Sequence, residues 1–445
     1  MEGKPAEEIG FTVRNTLFYS VIAIALLTVL LSPGLVSNNY LRALNTVCLV
    51  AILGLVGRTL IGAVYSLKKN NPPELQEELP TVSVLLPAYN EEKVLEDTLE
   101  ACTELDYPED KYEILVCYEA ECSDRTGKIA QQYAEEYEVI RALKRDEEGG
   151  GKARATNYAL EHADNEIIGL IDADHRYRPD ALKKAVRWFR REDVWCVKGR
   201  CYGRNPESSL MTLHATLERH IAERIDIYAR HVMDGFGFFG GGQAFFRRDV
   251  FEELGTFSER TLVEDIDMSA EIQRAGKQIA VDMDVVTFEE NPADLNAWWQ
   301  QRMRWTRGWM QVALRHTIGF SKEKKLPLKK RIDGAFTLGY AIVPSFLVVL
   351  LPLTYLNLFT SVETQVFLPY SQVLWGIAAV APFTLSMLVF FHDRKEYRHL
   401  PRELLASITL WGYFFCQALV HITSFIDEFI LDKKNVFVTT TRVGD

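Results

Sequence analysis

The stretch Glu166-Ile167-Ile168-Gly169-Leu170-Ile171-Asp172-Ala173-Asp174 decides how the middle of this chain is read. Its first six residues, rich in branched apolar side chains, have the length and composition of a buried strand. Two carboxylates follow, one residue apart. Alternate side chains of an extended segment point the same way, so Asp172 and Asp174 can converge on one divalent cation. An Asp-x-Asp triplet by itself is common on solvated loops; the strand in front of this one gives it weight.

Working outward, the runs 81–86, 113–117 and 138–143 also read as strands, and 91–105, 126–135 and 153–162 have helical periodicity. Strands alternating with helices imply βαβ units and a mostly parallel sheet, with ligands bound beyond the strand carboxyl ends. The chemistry is therefore expected on the turns. The first turn is Pro87-Ala88-Tyr89-Asn90-Glu91-Glu92, where Asn90 either caps the following helix or faces a polar ligand. Glu148-Gly149-Gly150-Gly151-Lys152 opens another helix with a glycine run and a point charge suited to phosphate, but without Walker spacing. Phe239-Gly240-Gly241-Gly242-Gln243 suggests close backbone approach to a bulky ligand. In Val263-Glu264-Asp265 an acid beside apolar neighbours can serve as general base, although a helix-capping acid looks the same. In WWQQRMRWTRGW, residues 298–309, Gln301, Arg304 and Trp305 stand at i, i+3 and i+4. They share a helical face that offers an amide, a guanidinium and an indole to a phosphate and a sugar ring.

Apolar residues make up 48% of the 445-residue chain and gather at its two ends. Runs 17–31 and 47–67 near the N-terminus, and 335–359, 373–391 and 404–430 near the C-terminus, approach the length of a bilayer span. Arg58, inside the second run, suggests a protein-facing or interfacial position. Lys68 and Lys69 on one side and the basic stretch 322–331 on the other place the middle segment in the cytoplasm. Five spans would put the tail, with Lys433, Lys434 and Arg442, on the opposite side, against the same rule. The expected organisation is two membrane helices in 1–70, a catalytic domain in 71–292, an interfacial helical region in 293–331, about three membrane helices in 332–431 and a tail in 432–445. A multi-pass cell-membrane protein in contact with lipid follows. The net charge of −11, with no basic stripe in the middle, argues against a nucleic-acid partner. Seven cysteines without Cys-x-x-Cys pairing fit a reducing compartment.

In this order the motifs resemble family 2 glycosyltransferases of the GT-A fold, over about residues 81–309. They are similar in particular to the membrane-embedded, processive type that includes cellulose, chitin and hyaluronan synthases. The resemblance implies a Rossmann-like nucleotide-diphospho-sugar transferase domain, α/β in class, flanked by transmembrane helices. It implies that Pro87, Tyr89, Asn90 and Glu91 open the nucleotide site beside Lys152 and Asn157. Asp172 and Asp174 match the metal-binding motif, with Mg2+ or Mn2+ as cofactor, and Asp172 also borders the donor. Asp265, next to Glu264, matches the catalytic base, while Gly241, Gly242, Gln301, Arg304 and Trp305 border acceptor and diphosphate. Two departures stand out. Glu119-Ala120-Glu121-Cys122-Ser123-Asp124 replaces a stretch that usually carries paired aspartates, so Glu119 or Glu121 is expected at the nucleoside. Val263 replaces a threonine beside the base and leaves the acid in place. The expected reaction is inverting transfer from a nucleotide-diphosphate sugar, expected to be UDP-linked, to a glycan or lipid hydroxyl. Polysaccharide synthesis is favoured over single transfer to a polyprenyl phosphate or ceramide-like lipid, and a catalytically inactive nucleotide-sugar-binding subunit is the third reading.

Overall fold

The computed structural model describes residues 38–147, 149, 151–345, 366–392 and 402–433. The expected span 17–31, the part of 335–359 beyond residue 345, the basic residues 394–398 and the tail from 434 lie outside the described residues, as do Glu148 and Gly150.

Four parallel strands form as the sequence suggests: β1 (Val82–Ala88), β2 (Tyr112–Glu119), β3 (Ile140–Arg145) and β4 (Ile167–Leu170). The helices between them are Leu95–Thr103, Thr126–Glu136 and Gly151–Glu161. Four further strands, β5 (His175–Tyr177), β6 (Val194–Gly203), β7 (Ala244–Arg247) and β8 (Gln278–Glu289), complete one sheet in the order β3-β2-β1-β4-β7-β6-β8-β5. β7 runs antiparallel to both β4 and β6, and β5 antiparallel to β8. The sheet is thus mixed, where a mostly parallel one was expected. Chain order reverses between β1 and β4, and the crevice outside their carboxyl ends is where an open α/β sheet binds ligands.

Both faces of the sheet are covered. Val84, Leu86, Ile114 and Val116 pack with Leu95, Leu99 and Ile129 on one side. Leu85, Leu115 and Ile168 pack with Ala155, Ala159, Met268 and Ile272 on the other. Helix α1 (Asn38–Tyr65) docks on the domain through Arg58, which ion-pairs with Asp226 and, at 3.3 Å, with Asp333. That partly buried contact accounts for a charge inside an apolar run.

Asn45–Tyr65 of α1 is the one continuous segment among the described residues long and apolar enough to cross a membrane. Arg402–Leu410 and Gly412–Ile430 pass the same test only as a pair, bent by 52°. Among the described residues, the flanking spans expected from the sequence are represented by this one possible span and a bent pair, and the run 373–391 falls in the helix Ser371–His392. Residue 335 has a different setting. The run expected to start there begins inside α8 (Leu328–Gly339), whose Asp333 accepts a hydrogen bond from Phe236 N at 2.7 Å, so that turn faces protein.

Candidate active site

Every turn singled out by the sequence lies at the carboxyl edge of the parallel strands, but their side chains divide into two groups. The first surrounds a cavity of about 240 Å³. Lys152, Asp172, Asp174, Gly241, Glu264 and Asp265 line one side, and Gln301, Arg304 and Trp305 line another.

β4 delivers the two aspartates into a tight turn closed by His175 N donating to Asp172 O at 2.9 Å. Ligand atoms of Asp172, Asp174 and His175 lie within 4.8 Å of one another. The sequence reading left out His175, although its place directly after the triplet is a signal in itself. Its ring nitrogens face Gly242 O at 3.2 Å and Glu289 Oε2 at 3.1 Å. Burial opposes its charged form, yet Glu289, Asp174 and Asp172 raise its pKa. Both nitrogens can thus act as donors, leaving the two carboxylates as the oxygen pair for a hard cation.

Lys152, in the first turn of α4 (Gly151–Glu161), contacts Asp172 and stands 3.9 Å from Glu264. Burial works against the Lys152 ammonium, but Asp172, Glu264 and Asp265 outweigh it and hold its pKa above the ordinary value. Burial likewise raises the Asp172 carboxyl, and Lys152 and His175 overcome that and lower it. Four carboxylates (Asp172, Asp174, Glu264 and Asp265) face this one lysine on that side of the cavity. A divalent cation would offset these charges for an entering diphosphate, and the oxygen donors present fit Mg2+ or Mn2+.

Asp265 opens the helix Glu264–Arg274 and is fixed by two backbone amides, Gly241 N to Oδ2 at 3.0 Å and Ile266 N to Oδ1 at 2.8 Å. Burial, and then the neighbouring Glu264, push it up to about 6. Within the glycine run, Gly240 and Gly241 line the cavity, while a Cβ on Gly242 would come within 2.1 Å of Asp172 N, so Gly242 is held against the aspartate turn. Helix α7 (Leu295–Lys322) lies against the turn that leads into Glu264 and Asp265, since a Cβ on Gly308 would meet the Val263 side chain at 2.7 Å. The two contacts fix the base, the aspartates and the Gln301-Arg304-Trp305 face relative to one another. Trp298 is fully buried and donates to Tyr413 Oη at 2.9 Å, so this end of α7 is packed between protein elements. The exposed apolar residues Leu295, Ile318, Leu328 and Ile332 lie elsewhere on α7 and α8.

The second group lies outside this cavity. Asn90 is not a helix cap. The next helix starts only at Leu95, and Asn90, at φ 56°, accepts from Ser123 N at 2.8 Å. Glu91 N and Glu92 N are held by Thr126 Oγ1 and Asp124 Oδ2 at 2.8 and 3.0 Å, which ties the first turn to the loop after β2. Tyr89 is exposed, and Pro87 borders a small recess that shares Lys152 and Asp172 with the cavity. Glu121 is exposed. Glu119 is buried and pairs with Arg145 at 2.7 Å, an arginine that nothing in the sequence marked. Asn157, matched to the lysine-containing motif, instead brackets the loop after Leu254, donating to Phe257 O and accepting from Phe257 N, both at 2.9 Å. Arg145→Ala is expected to cost about 3–5 kcal/mol of stability by stranding the Glu119 carboxylate. Denaturant unfolding checks this, and an unchanged midpoint would contradict the pairing. Glu121→Ala is expected to leave that midpoint alone.

The comparisons give the family and the fold. The family described as "Glycosyltransferase like family 2" matches residues 80–308, just over half of the chain. A Bacillus subtilis relative named "Probable glycosyltransferase YdaM" is 30% identical over 75% of this chain and 80% of its own length. The chain belongs to glycosyltransferase family 2. It is therefore a nucleotide-sugar glycosyltransferase, an enzyme with hexosyltransferase relatives. A beta-monoglucosyldiacylglycerol synthase of Trichormus variabilis is 30% identical, covering 59% of this chain and 56% of that enzyme. A poly-beta-1,6-N-acetyl-D-glucosamine synthase of Staphylococcus aureus is 28% identical, covering 59% and 63%. The chain spans little more than half the length of these two family members. The fold is that of the mannosyltransferase PcManGT from Pyrobaculum calidifontis, solved with GDP-Man and Mn2+. It has a TM-score of 0.59 and 23% identity, and covers 89% of this chain and 99% of that one.

Proposed function

We propose that this glycosyltransferase moves one hexosyl group, with inversion, from a nucleotide-diphosphate sugar to the hydroxyl of a membrane lipid or lipid-linked acceptor. The observation that carries the reaction is Asp265, a carboxylate of raised pKa held by Gly241 N and Ile266 N across the cavity from Gln301, Arg304 and Trp305. It takes the acceptor hydroxyl proton as the oxygen attacks the anomeric carbon, and the diphosphate leaves from the opposite face. Asp172 and Asp174 would hold Mg2+ or Mn2+, which supplies charge neutralisation of the leaving diphosphate. Lys152, with its charge secured by the surrounding carboxylates, adds a second cation to that face. Arg304 has no ion-pair partner among the described residues and is available to the diphosphate. Glu119, or the exposed Glu121, with Tyr89, Asn90 and Glu91, would border the nucleoside.

The lipid acceptor is supported by the end of the cavity nearest the C-terminal helices. Glu218, which lines the cavity there, receives hydrogen bonds from Arg302 and Tyr413 at 2.6 Å each and one from Gln417. These residues tie the helices Leu210–Ile221, α7 and Arg402–Phe425 together at that end of the cavity. A head group entering from the lipid side would not need to pass a chain between those tied helices. The processive reading favoured by the sequence keeps one argument, the indoles of Trp305 and Trp309 in the cavity wall, on which a chain end could stack. Sizing the product decides between them. With labelled donor and membrane lipid, a single organic-extractable glycolipid carrying one hexose is expected. A glycosidase-sensitive ladder or high-molecular-weight glycan would overturn the lipid reading.

A further inference from the structure

Three polar side chains on the floor of the cavity have no part in the reaction as described. Lys198 projects from β6, Glu223 from the π-helical segment Ala222–Tyr228, and Gln243 from the residue that precedes β7. All three line the cavity, and each is at least nine-tenths buried. Lys198 Nζ donates to Gly199 O at 2.7 Å and is ion-paired with Glu223 Oε2, which balances its charge. Gln243 Nε2 reaches Glu223 Oε1 only at 3.5 Å, and Gln243 Oε1 is buried with no hydrogen-bond donor among the described residues. Across the cavity Gln301 Oε1 is in the same condition. Unsatisfied buried amide oxygens are rare in folded proteins, and their usual explanation is a ligand or water that brings the missing donor. A π-helical turn inside an α-helix is also frequent at functional sites.

We propose that Gln243, Glu223 and Lys198 form the subsite that reads the ring hydroxyls of the donor hexose and so sets its configuration. Position carries the assignment to the donor side. Gly242, immediately before Gln243, is pressed on the Ile171–Asp172 backbone, so the cluster lies next to the aspartates that face the diphosphate. Chemistry carries the ligand class. The floor offers an open amide oxygen and a carboxylate oxygen with one long contact, while its cation is already balanced. An uncharged ring with several O–H donors fits, and a uronosyl carboxylate does not, because it would meet Glu223 without a spare cation. A site built to accept from substrate hydroxyls discriminates strongly against a sugar that presents them in the wrong configuration. The proposal rests on the nucleotide-sugar reading and is independent of the acceptor.

Calorimetric binding tests it without turnover. Nucleotide-diphosphate hexoses of gluco, galacto and manno configuration, and the matching nucleoside diphosphates, are titrated with Mn2+ into the full-length wild type, Gln243→Ala and Glu223→Gln. The wild type is expected to prefer one configuration and to bind it more tightly than the nucleoside diphosphate alone. Gln243→Ala is expected to bind the nucleoside diphosphate as before and to lose about three- to tenfold of the preference among sugars. Should Glu223→Gln fail to fold through loss of the Lys198 partner, Gln243→Asn, which keeps the amide and shortens its reach, replaces it and is expected to show an intermediate loss. Unchanged preference in the Gln243 variants, or a wild type that binds all three sugars no better than the nucleoside diphosphate, would overturn the subsite. A product assay that names a different acceptor would leave these ratios untouched.

Discussion

Asp265→Asn is expected to lower turnover about 10²–10⁴-fold while nucleoside diphosphate affinity stays near that of the wild type. The substitution keeps the size of the side chain and an oxygen for one of the two backbone amides, Gly241 N or Ile266 N, that fix it. It removes the group that can take a proton. The same assignment fixes a pH profile. Burial and Glu264 raise Asp265 to about 6 against the opposing pull of Lys152, and a general base works in its deprotonated form. With donor and metal saturating, rate should therefore climb as pH rises through about 6 and level off above 7. Below 6 it should fall roughly tenfold per unit. The folded asparagine variant should lose this limb along with its activity. Near-normal turnover in that variant would remove Asp265 from the reaction.

Removing the divalent cation should abolish transfer, with a drop of about 10³-fold or more on chelation and recovery on adding Mn2+ or Mg2+. Asp172, Asp174, Glu264 and Asp265 present four carboxylates to the cavity beside Lys152, so a bare diphosphate would be repelled. Asp174→Ala should weaken donor binding in the presence of metal and leave the smaller, metal-free affinity alone. Full activity in excess chelator would contradict the whole arrangement on that side of the cavity.

The legible part of the fold was its local part. β1, β2 and β4 are nearly unbroken apolar runs, and the chemistry sits on the turns that follow them, so Asp172, Asp174 and Lys152 could be placed from adjacent sequence alone. β6 was hidden because it carries Lys198 and Arg200 fully buried inside the sheet, where their charges break the apolar pattern of a strand. β5 and β7, at three and four residues, are too short to show periodicity. Without β6 and β7 the sheet reads as parallel, and the floor formed by Lys198, Glu223 and Gln243 cannot be seen. Those residues come together only through the order β4-β7-β6-β8. The sequence leaves Asn90 open between a helix cap and a ligand contact, because a turn-forming Asn and a capping Asn look alike until its backbone, at φ 56°, and the late helix start at Leu95 are known. Gln301, Arg304 and Trp305 were legible because helical spacing alone puts them on one face. The partners of that helix, Gly308 on Val263 and Trp298 on Tyr413, depend on tertiary contacts.

The central claim is a single displacement at the anomeric carbon, assisted by Asp265, and the stereochemistry of the product tests it most directly. Purified full-length protein in lipid vesicles with Mn2+ would be given a panel of nucleotide-diphosphate hexoses labelled with carbon-13 at the anomeric position. The new linkage would be read by nuclear magnetic resonance before any workup. The account predicts that one donor is consumed and that its hexosyl group appears on an acceptor oxygen in the anomeric configuration opposite to the donor's. Retention of configuration, or release of free sugar with no acceptor labelled, would contradict it.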